Sequence, residues 1–137
     1  MSAADLAIPR LKVEEGFRAF PYTDSVGKST VGYGCNLQAG LTQHAAEALL
    51  VAQVDEMHSA LSVYGWYENL DEARQSVCLD IAFNAGLHGL VAGFPNMIAA
   101  IERQDWARAA AECHVQNPQL AGRYEQLAKL LLGGSSE

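Results

Sequence analysis

The sequence predicts an α+β fold that is mostly helical, with a small β-hairpin lobe, a long connecting helix and a helical C-terminal lobe. Two short aromatic-rich runs flank the turn-rich segment TDSVGKS, a pattern typical of a hairpin. Apolar residues then recur at helical spacing over residues 43–63, and further helical patterns follow,. With 137 residues, one domain is expected over 1–137. The lobes are assigned to residues 12–40, 42–63 and 65–132.

Composition indicates a folded core and excludes some partners. Half of the residues are hydrophobic and 18% are charged, which argues against disorder. The net charge is −7 and no Lys/Arg stripe is present, so nucleic acid is not expected as a partner. Three cysteines without metal-ligand spacing favour buried free thiols over a disulfide, and therefore a reducing compartment of synthesis. No cofactor and no metal are expected.

The N-terminal residues lack a basic stretch followed by an apolar one, so no signal peptide is expected. No apolar run approaches the length of a membrane span. These features predict a protein that is synthesised in the cytoplasm, is not inserted into a membrane and is a monomer.

The first element is predicted to be a short helix that ends at Glu15. Asp5 is expected to cap it, and Pro9 is tolerated in a first turn. Gly16 suits the position after a helix C-terminus. The residues expected on its buried side are Ile8, Leu11 and Val13.

The hairpin is predicted to extend through Cys35, and Thr42 is a predicted N-cap for the connecting helix. That helix should run from Gln43 to about Val63. Its buried face is predicted from apolar residues at helical spacing: Ala46, Leu49, Leu50, Val54, Met57 and Leu61.

Four more helices are predicted after the break at Tyr64-Gly65-Trp66. The first covers residues 70–85 and stops at Gly86, and a glycine-punctuated segment follows. The others cover residues 96–102, residues 105–115 with Trp106 and Ala109 on the apolar side, and residues 119–132. The terminal GGSSE is expected to be a flexible tail.

The stretch Lys12–Gly34 offers carboxylates at Glu15 and Asp24 and a hydroxyl at Thr30. A carboxylate in the last turn of a helix meets the negative end of the helix dipole, which favours its protonated form, and apolar cover would favour it further. Asp24, in a polar turn, should stay ionised. One protonated acid and one charged carboxylate form the pair that glycoside hydrolysis requires.

These residues resemble the phage-type (T4-like) lysozymes, glycoside hydrolase family 24. The family signature is Glu-Gly, an aromatic residue, an Asp-containing turn and a Thr-x-Gly-x-Gly strand. In this sequence the matching residues are Glu15-Gly16, Tyr22, Asp24, Gly27 and residues 30–34. The similarity continues through Phe83-Asn84 and Trp106, and so covers residues 7–132.

The resemblance implies a lysozyme-like fold and substrate contacts at Asn36, Phe83, Asn84 and Met97. It also implies an Arg near the catalytic acid, for which Arg123 is the nearest candidate. The chain departs from the family at Cys35, where a His is common, and in the short segment before the connecting helix. A smaller hairpin lobe should leave a more open cleft.

Two functions remain open. The first is an endolysin-type muramidase that cuts the β-1,4 bond between N-acetylmuramic acid and N-acetylglucosamine in peptidoglycan. In it, Glu15 is the general acid while Asp24 and Thr30 position water, with inversion. The second is a weak or inactive lysozyme-fold module that binds glycan or a protein. The acidic charge motivates the second, because cell-wall polymers are mostly anionic. Release through a holin, within a virion or by a secretion system would each bring the protein to peptidoglycan.

Overall fold

The computed structural model describes residues 1–133. Residues 134–137, which form most of the predicted flexible tail, lie outside the described part. Within the described residues, seven α-helices and three strands follow in the order α1, β1–β3, α2–α7. The helices are α1 Ala3–Glu15, α2 Gln43–Leu61, α3 Gly65–Glu68, α4 Glu72–Gly93, α5 Pro95–Glu102, α6 Trp106–Ala111 and α7 Ala121–Gly133. The strands are β1 Arg18–Thr23, β2 Ser29–Gly32 and β3 Cys35–Asn36. The α+β, mostly helical fold class is confirmed.

The chain divides into two compact units, Met1–Leu49 and Leu50–Glu137. The first contains α1, the sheet and the beginning of α2. The second contains the rest of α2 and all the later helices.

Helix α1 begins differently from the prediction. Ser2 is the N-cap, and its hydroxyl accepts a hydrogen bond from the Asp5 amide while Asp5 accepts one from the Ser2 amide. This capping box places Asp5 inside the helix rather than at its cap. It also leaves Pro9 in the helix interior, beyond the first turn. Hydrogen bonding of the Asp5 carboxylate by the backbone and the side chain of Ser2 lowers the pKa of Asp5.

The predicted buried side of α1 is wrong, because no residue of this helix is buried. At 3.6 residues per turn, Ile8 and Leu11 lie on one side, whereas Val13 lies well away from them. The apolar residues therefore do not form a single stripe. Val13 is the most exposed of the three, at 84%.

The three strands form an antiparallel sheet in the order β1-β2-β3. Between the pairs Arg18–Gly32 and Tyr22–Thr30, β1 contains two more residues than β2, so its pairing is irregular there,. Pro21 lies in this irregular segment, where its missing N–H costs no ladder hydrogen bond.

Helix α2 begins as predicted, since the Thr42 hydroxyl accepts a hydrogen bond from the Ala45 amide at 3.1 Å. Burial of its apolar face increases along its length. Leu49 and Leu50 are about half exposed, and only Leu61 is fully buried. The C-terminal end of α2 thus packs on the core of the second unit, while its N-terminal half contributes little burial.

The core of the second unit consists of side chains from α2–α7. Its largest fully buried members are Tyr67, Tyr124, Leu61, Ile81, Leu90, Met97, Leu131, Val77 and Cys78. Burial of these side chains is the main stabilising contribution, at about 1.5–3 kcal/mol for each large apolar residue.

Helix α4 has the break that the sequence predicts at Gly86, where φ is +84°. The chain then returns to helix until Gly93, whereas the sequence predicted that the helix stops at Gly86. Among the described residues, α4 is long and apolar enough to span a membrane by length and hydropathy, which corrects the expectation that no run approaches that length. Core helices meet the same criteria, and five residues of α4 are buried.

Helices α5 and α7 agree with their predictions to within two residues, whereas α6 ends at Ala111 and not at residue 115 as predicted. Asp105 is the N-cap of α6, with Ala109 buried, and Pro118 begins a short 3₁₀ turn before α7. Arg74 fixes the end of α7, because its Nε donates to the Leu131 carbonyl oxygen at 2.7 Å. The Arg74 guanidinium also lies 3.8 Å from the ring centre of Trp106.

The three cysteines are free thiols, as predicted. Cys78 and Cys113 are buried, whereas Cys35 is exposed, so the prediction of burial is wrong for Cys35. Burial raises the pKa of Cys78 to about 12 and that of Cys113 to about 11, so both thiols are protonated at neutral pH.

Candidate active site

Glu15 occupies the last position of α1 and lies against the turn between β2 and β3. Gly16 ends the helix with φ +70°, and its amide donates to the Lys12 carbonyl. A Cβ on Gly34 would lie 2.7 Å from Oε2 of Glu15 and 3.0 Å from its Cδ. The Glu15 carboxyl therefore packs against the Gly34 backbone, in space that the side chain of any larger residue at position 34 would occupy.

Aromatic packing next to Glu15 joins the helix end to the same turn. The rings of Phe17 and Tyr33 are 5.6 Å apart, and the ammonium group of Lys12 lies 6.0 Å from the centre of the Tyr33 ring. Glu15 itself is exposed and makes no hydrogen bond or ion pair with any described residue. Its carboxyl is free to act on a ligand.

Asp24 lies in the turn between β1 and β2. Its Oδ1 accepts hydrogen bonds from the Val26 amide at 3.0 Å and the Lys28 amide at 2.8 Å. Both bonds stabilise the turn and use one carboxylate oxygen. Among residues 1–133, Oδ2 has no hydrogen-bond partner, so Asp24 keeps one oxygen for a water or a substrate.

Thr30 is buried, with 4% of its surface exposed. Its hydroxyl donates to the Lys28 carbonyl at 3.0 Å, so its proton is already used. What remains at the Thr30 oxygen are lone pairs, which can accept a hydrogen bond.

One face of the sheet carries most of the predicted hairpin residues. Thr30 pairs with Tyr22 on one side and with Asn36 on the other, and Asp24 lies opposite Lys28. Because directly paired residues point to the same face and alternate residues share it, Tyr22, Asp24, Thr30 and Asn36 lie on one face. The Oδ1 of Asn36 accepts from the Gln38 amide at 3.0 Å, which leaves its NH₂ group available.

The two carboxylates lie at opposite ends of β2. Asp24 lies opposite Lys28, just before β2. Glu15 packs against Gly34, which lies opposite Gly32 at the end of β2. Four residues of strand separate Lys28 from Gly32, roughly 13 Å along the backbone.

Phe83 and Asn84 lie near the end of the first part of α4, just before Gly86. Phe83 is 45% exposed. It borders an open cavity of about 340 Å³ together with Leu50, Val54, Leu79 and other residues of the second unit. The Oδ1 of Asn84 accepts a hydrogen bond from the Tyr124 hydroxyl at 2.9 Å. Both side chains are accessible to a ligand of their own unit.

Met97 differs from its expected role. It was predicted as a substrate contact, but it has no exposed surface and belongs to the core. The reason is its place in α5, where Met97, Ile98 and Ile101 form the buried face. A substrate cannot contact Met97 in this structure.

The sequence did not reveal two contributions to these sites. Arg123, proposed from the resemblance as the partner of the acid, donates from Nε to Oδ1 of Asp80 at 2.7 Å. Tyr124 was not singled out, although a buried tyrosine requires a partner for its hydroxyl and so signals a polar contact. Its partner, Asn84, is 40 residues away in sequence, and no local pattern identifies it.

A short helix, a small three-stranded antiparallel sheet and a series of later helices are consistent with a lysozyme-like fold. The family model for phage lysozyme matches residues 12–130. The chain therefore belongs to the phage lysozyme family, and its general function is that of a muramidase that degrades peptidoglycan. A search of curated proteins returned no match.

Proposed function

We propose that this protein is an inverting muramidase of the T4-like type, glycoside hydrolase family 24. It cuts the β-1,4 bond between N-acetylmuramic acid and N-acetylglucosamine. The proposal depends on one observation: the Glu15 carboxyl packs against the Gly34 backbone, beside the sheet face that bears Asp24 and Thr30. The enzyme acts as a monomer on glycan strands, and release through a holin, within a virion or by a secretion system brings it to them.

Glu15 is the general acid that protonates the leaving oxygen. It occupies the last position of α1, next to the turn that contains Gly34. Glu15 is exposed in the free protein, so the apolar cover considered from the sequence is not supplied by its own unit. A bound sugar would supply that cover by displacing water from the carboxyl.

Asp24 and Thr30 hold the attacking water. The Thr30 oxygen cannot donate to the water, since its proton is directed at Lys28. The Thr30 oxygen and the free Oδ2 of Asp24 therefore each accept one hydrogen bond from the same water. That arrangement leaves a lone pair of the water directed away from the sheet, toward the anomeric carbon, and the proton that the water loses on attack passes to Oδ2 of Asp24. This chemistry needs a gap of roughly 6.5–9.5 Å between the carboxyls.

Asn36, Phe83 and Asn84 are the proposed substrate contacts. Each of the two asparagines has its carbonyl oxygen occupied by an internal donor. Their NH₂ groups are thus donors that suit the acetamido carbonyls and ring hydroxyls of amino sugars. The exposed Phe83 ring offers an apolar surface for a sugar face.

The test compares two neighbouring glutamates. Glu15→Gln should reduce the release of reducing ends from peptidoglycan by at least about a hundredfold, because it removes the proton donor. Glu14→Gln is the matched control, since Glu14 is also exposed and lies in the same last turn of α1. It should retain wild-type activity, and both variants should have the wild-type circular dichroism spectrum.

Two results would count against the proposal. Wild-type activity in Glu15→Gln would remove Glu15 from the mechanism. Binding of the wild-type protein to sacculi without any release of reducing ends would favour the non-catalytic module instead.

A further inference from the structure

Tyr124 is a buried tyrosine whose ring and hydroxyl are both fixed. It is 1% exposed, and its ring is stacked on Phe94 with the centres 5.9 Å apart and the planes at 6°. Phe94 is itself buried at the start of α5. The position of the Tyr124 hydroxyl is therefore determined by core packing rather than by the contact that the hydroxyl makes.

That hydroxyl donates to Oδ1 of Asn84 at 2.9 Å. A second contact joins α7 to α4 one helical turn earlier in α4, where Arg123 donates from Nε to Oδ1 of Asp80 at 2.7 Å. Two consecutive residues of α7 thus bind two residues of α4 that are one turn apart. The first turn of α7 and the end of the first part of α4 are held in fixed register.

The hydrogen bond determines which way the Asn84 amide faces. An unrestrained asparagine amide can rotate by half a turn and exchange its oxygen and nitrogen. With Oδ1 held by Tyr124, the NH₂ group points away from the core, and Asn84 is exposed. Burial raises the pKa of Tyr124, so the hydroxyl keeps its proton and remains a donor at neutral pH.

We propose that Tyr124 is a positioning residue for glycan binding, which fixes the Asn84 amide with its NH₂ donors toward the acetamido carbonyl of the substrate. Tyr124 itself does not touch the sugar. The inference rests on the proposed function, since it takes Asn84 to be a substrate contact. It adds the reason why Asn84 presents donors rather than an acceptor.

Removal of the hydroxyl tests the inference. Tyr124→Phe should raise KM for soluble peptidoglycan fragments roughly three- to tenfold, which corresponds to one neutral hydrogen bond. kcat should stay near the wild-type value, because the catalytic groups of the hairpin are unchanged. An unchanged KM in a folded Tyr124→Phe variant would overturn the positioning role.

Tyr67→Phe is the matched control. Tyr67 is also fully buried in the second unit, and its hydroxyl is 2.7 Å from Nδ1 of His58. Its loss should lower the melting temperature as any lost buried hydrogen bond does, without a change in KM. An equal rise of KM in both variants would show a general structural effect and overturn the inference.

A double-mutant comparison isolates the route through Asn84. In an Asn84→Ala background, Tyr124→Phe should have no further effect on KM, because the amide to be oriented is absent. An undiminished effect in that background would overturn the inference.

Binding measured by NMR separates this inference from the proposed function. In the wild-type protein, titration with chitotetraose should shift the side-chain NH₂ resonances of Asn84, and Tyr124→Phe should weaken that binding by the same factor as KM rises. A wild-type protein that neither cleaves peptidoglycan nor binds the oligosaccharide would overturn the proposed function. Cleavage with chitotetraose binding unaffected by Tyr124→Phe would overturn the positioning role alone.

Discussion

Gly34 meets two requirements with one residue. Its φ of +78° lies in the left-handed region, which costs an ordinary residue about 1–2 kcal/mol,. Its missing side chain leaves room for the Glu15 carboxyl, which would otherwise lie 2.7 Å from a Cβ. A contact this short forces the glutamate to move. The second glycine of the Thr-x-Gly-x-Gly strand is thus tied to the position of the proposed acid.

Gly32 allows the two requirements to be separated. It has a similar φ of +68°, but a Cβ there would meet nothing within 4 Å. Gly34→Ala and Gly32→Ala should both lower the free energy of unfolding by about 1–2 kcal/mol in urea titrations. Only Gly34→Ala should also reduce kcat, by at least about tenfold, because it displaces Glu15. Equal kcat values for the two variants would contradict the packing of the Glu15 carboxyl on Gly34 as a requirement for catalysis.

At the scale of elements, the hairpin and the end of the first helix at Glu15 were predictable, whereas the N-cap and the buried side of that helix were not. The hairpin signal is local, since turn residues and strand residues lie within 20 positions of one another. The buried side of α1 was assigned from apolar residues that do not share a face, and α1 has no buried residue. The N-cap was placed on Asp5 because Asp is a good cap, yet the reciprocal bonds to Ser2 are made instead,.

The helical unit shows a similar difference. Gly86 was predicted to end a helix, and it does break α4. Nothing local indicates that the chain returns to helix after Gly86. The return is explained by tertiary packing: each glycine disfavours helix by only about 1 kcal/mol, and the Leu90 side chain is buried in the core,. Met97 was assigned to substrate by resemblance, whereas tertiary packing determines its burial.

The packed helices also contain two buried thiols with a consequence for alkaline stability. The pKa of Cys78 is raised to about 12 and that of Cys113 to about 11, from an ordinary value of 9.0. Above pH 9 the unfolded chain loses thiol protons that the folded protein keeps. Stability is therefore fully present below pH 9 and is lost as pH rises toward 11–12, by at most about 1.4 kcal/mol per pH unit and thiol.

Urea titrations at several pH values between 8 and 11 measure this slope. The double variant Cys78→Ala, Cys113→Ala should lose stability less steeply with pH than the wild-type protein. Val77→Ala is the control, because it removes buried volume from the same helix without removing a titratable group. It should be less stable at every pH but keep the wild-type slope. A wild-type slope in the double variant would refute the link between the thiols and alkaline unfolding.

At the scale of the molecule, the sequence was sufficient for the family, while the assignment of lobes stays a prediction. The two units meet within α2, at Leu49–Leu50, inside the helix predicted to connect the lobes. The contact between Tyr124 and Asn84 was not predictable, because it joins α7 to α4 and depends on how the helices pack. Local motifs identified the hairpin residues, whereas only the folded chain identified Tyr124 as the partner of Asn84.

The stereochemistry of cleavage tests the central claim most directly. Soluble peptidoglycan fragments would be digested in an NMR tube, and the anomeric proton of the first-formed N-acetylmuramic acid reducing end recorded before mutarotation. A water held by Asp24 and Thr30 on the face opposite the leaving group predicts the α-anomer first. The β-anomer as the first product would contradict the account.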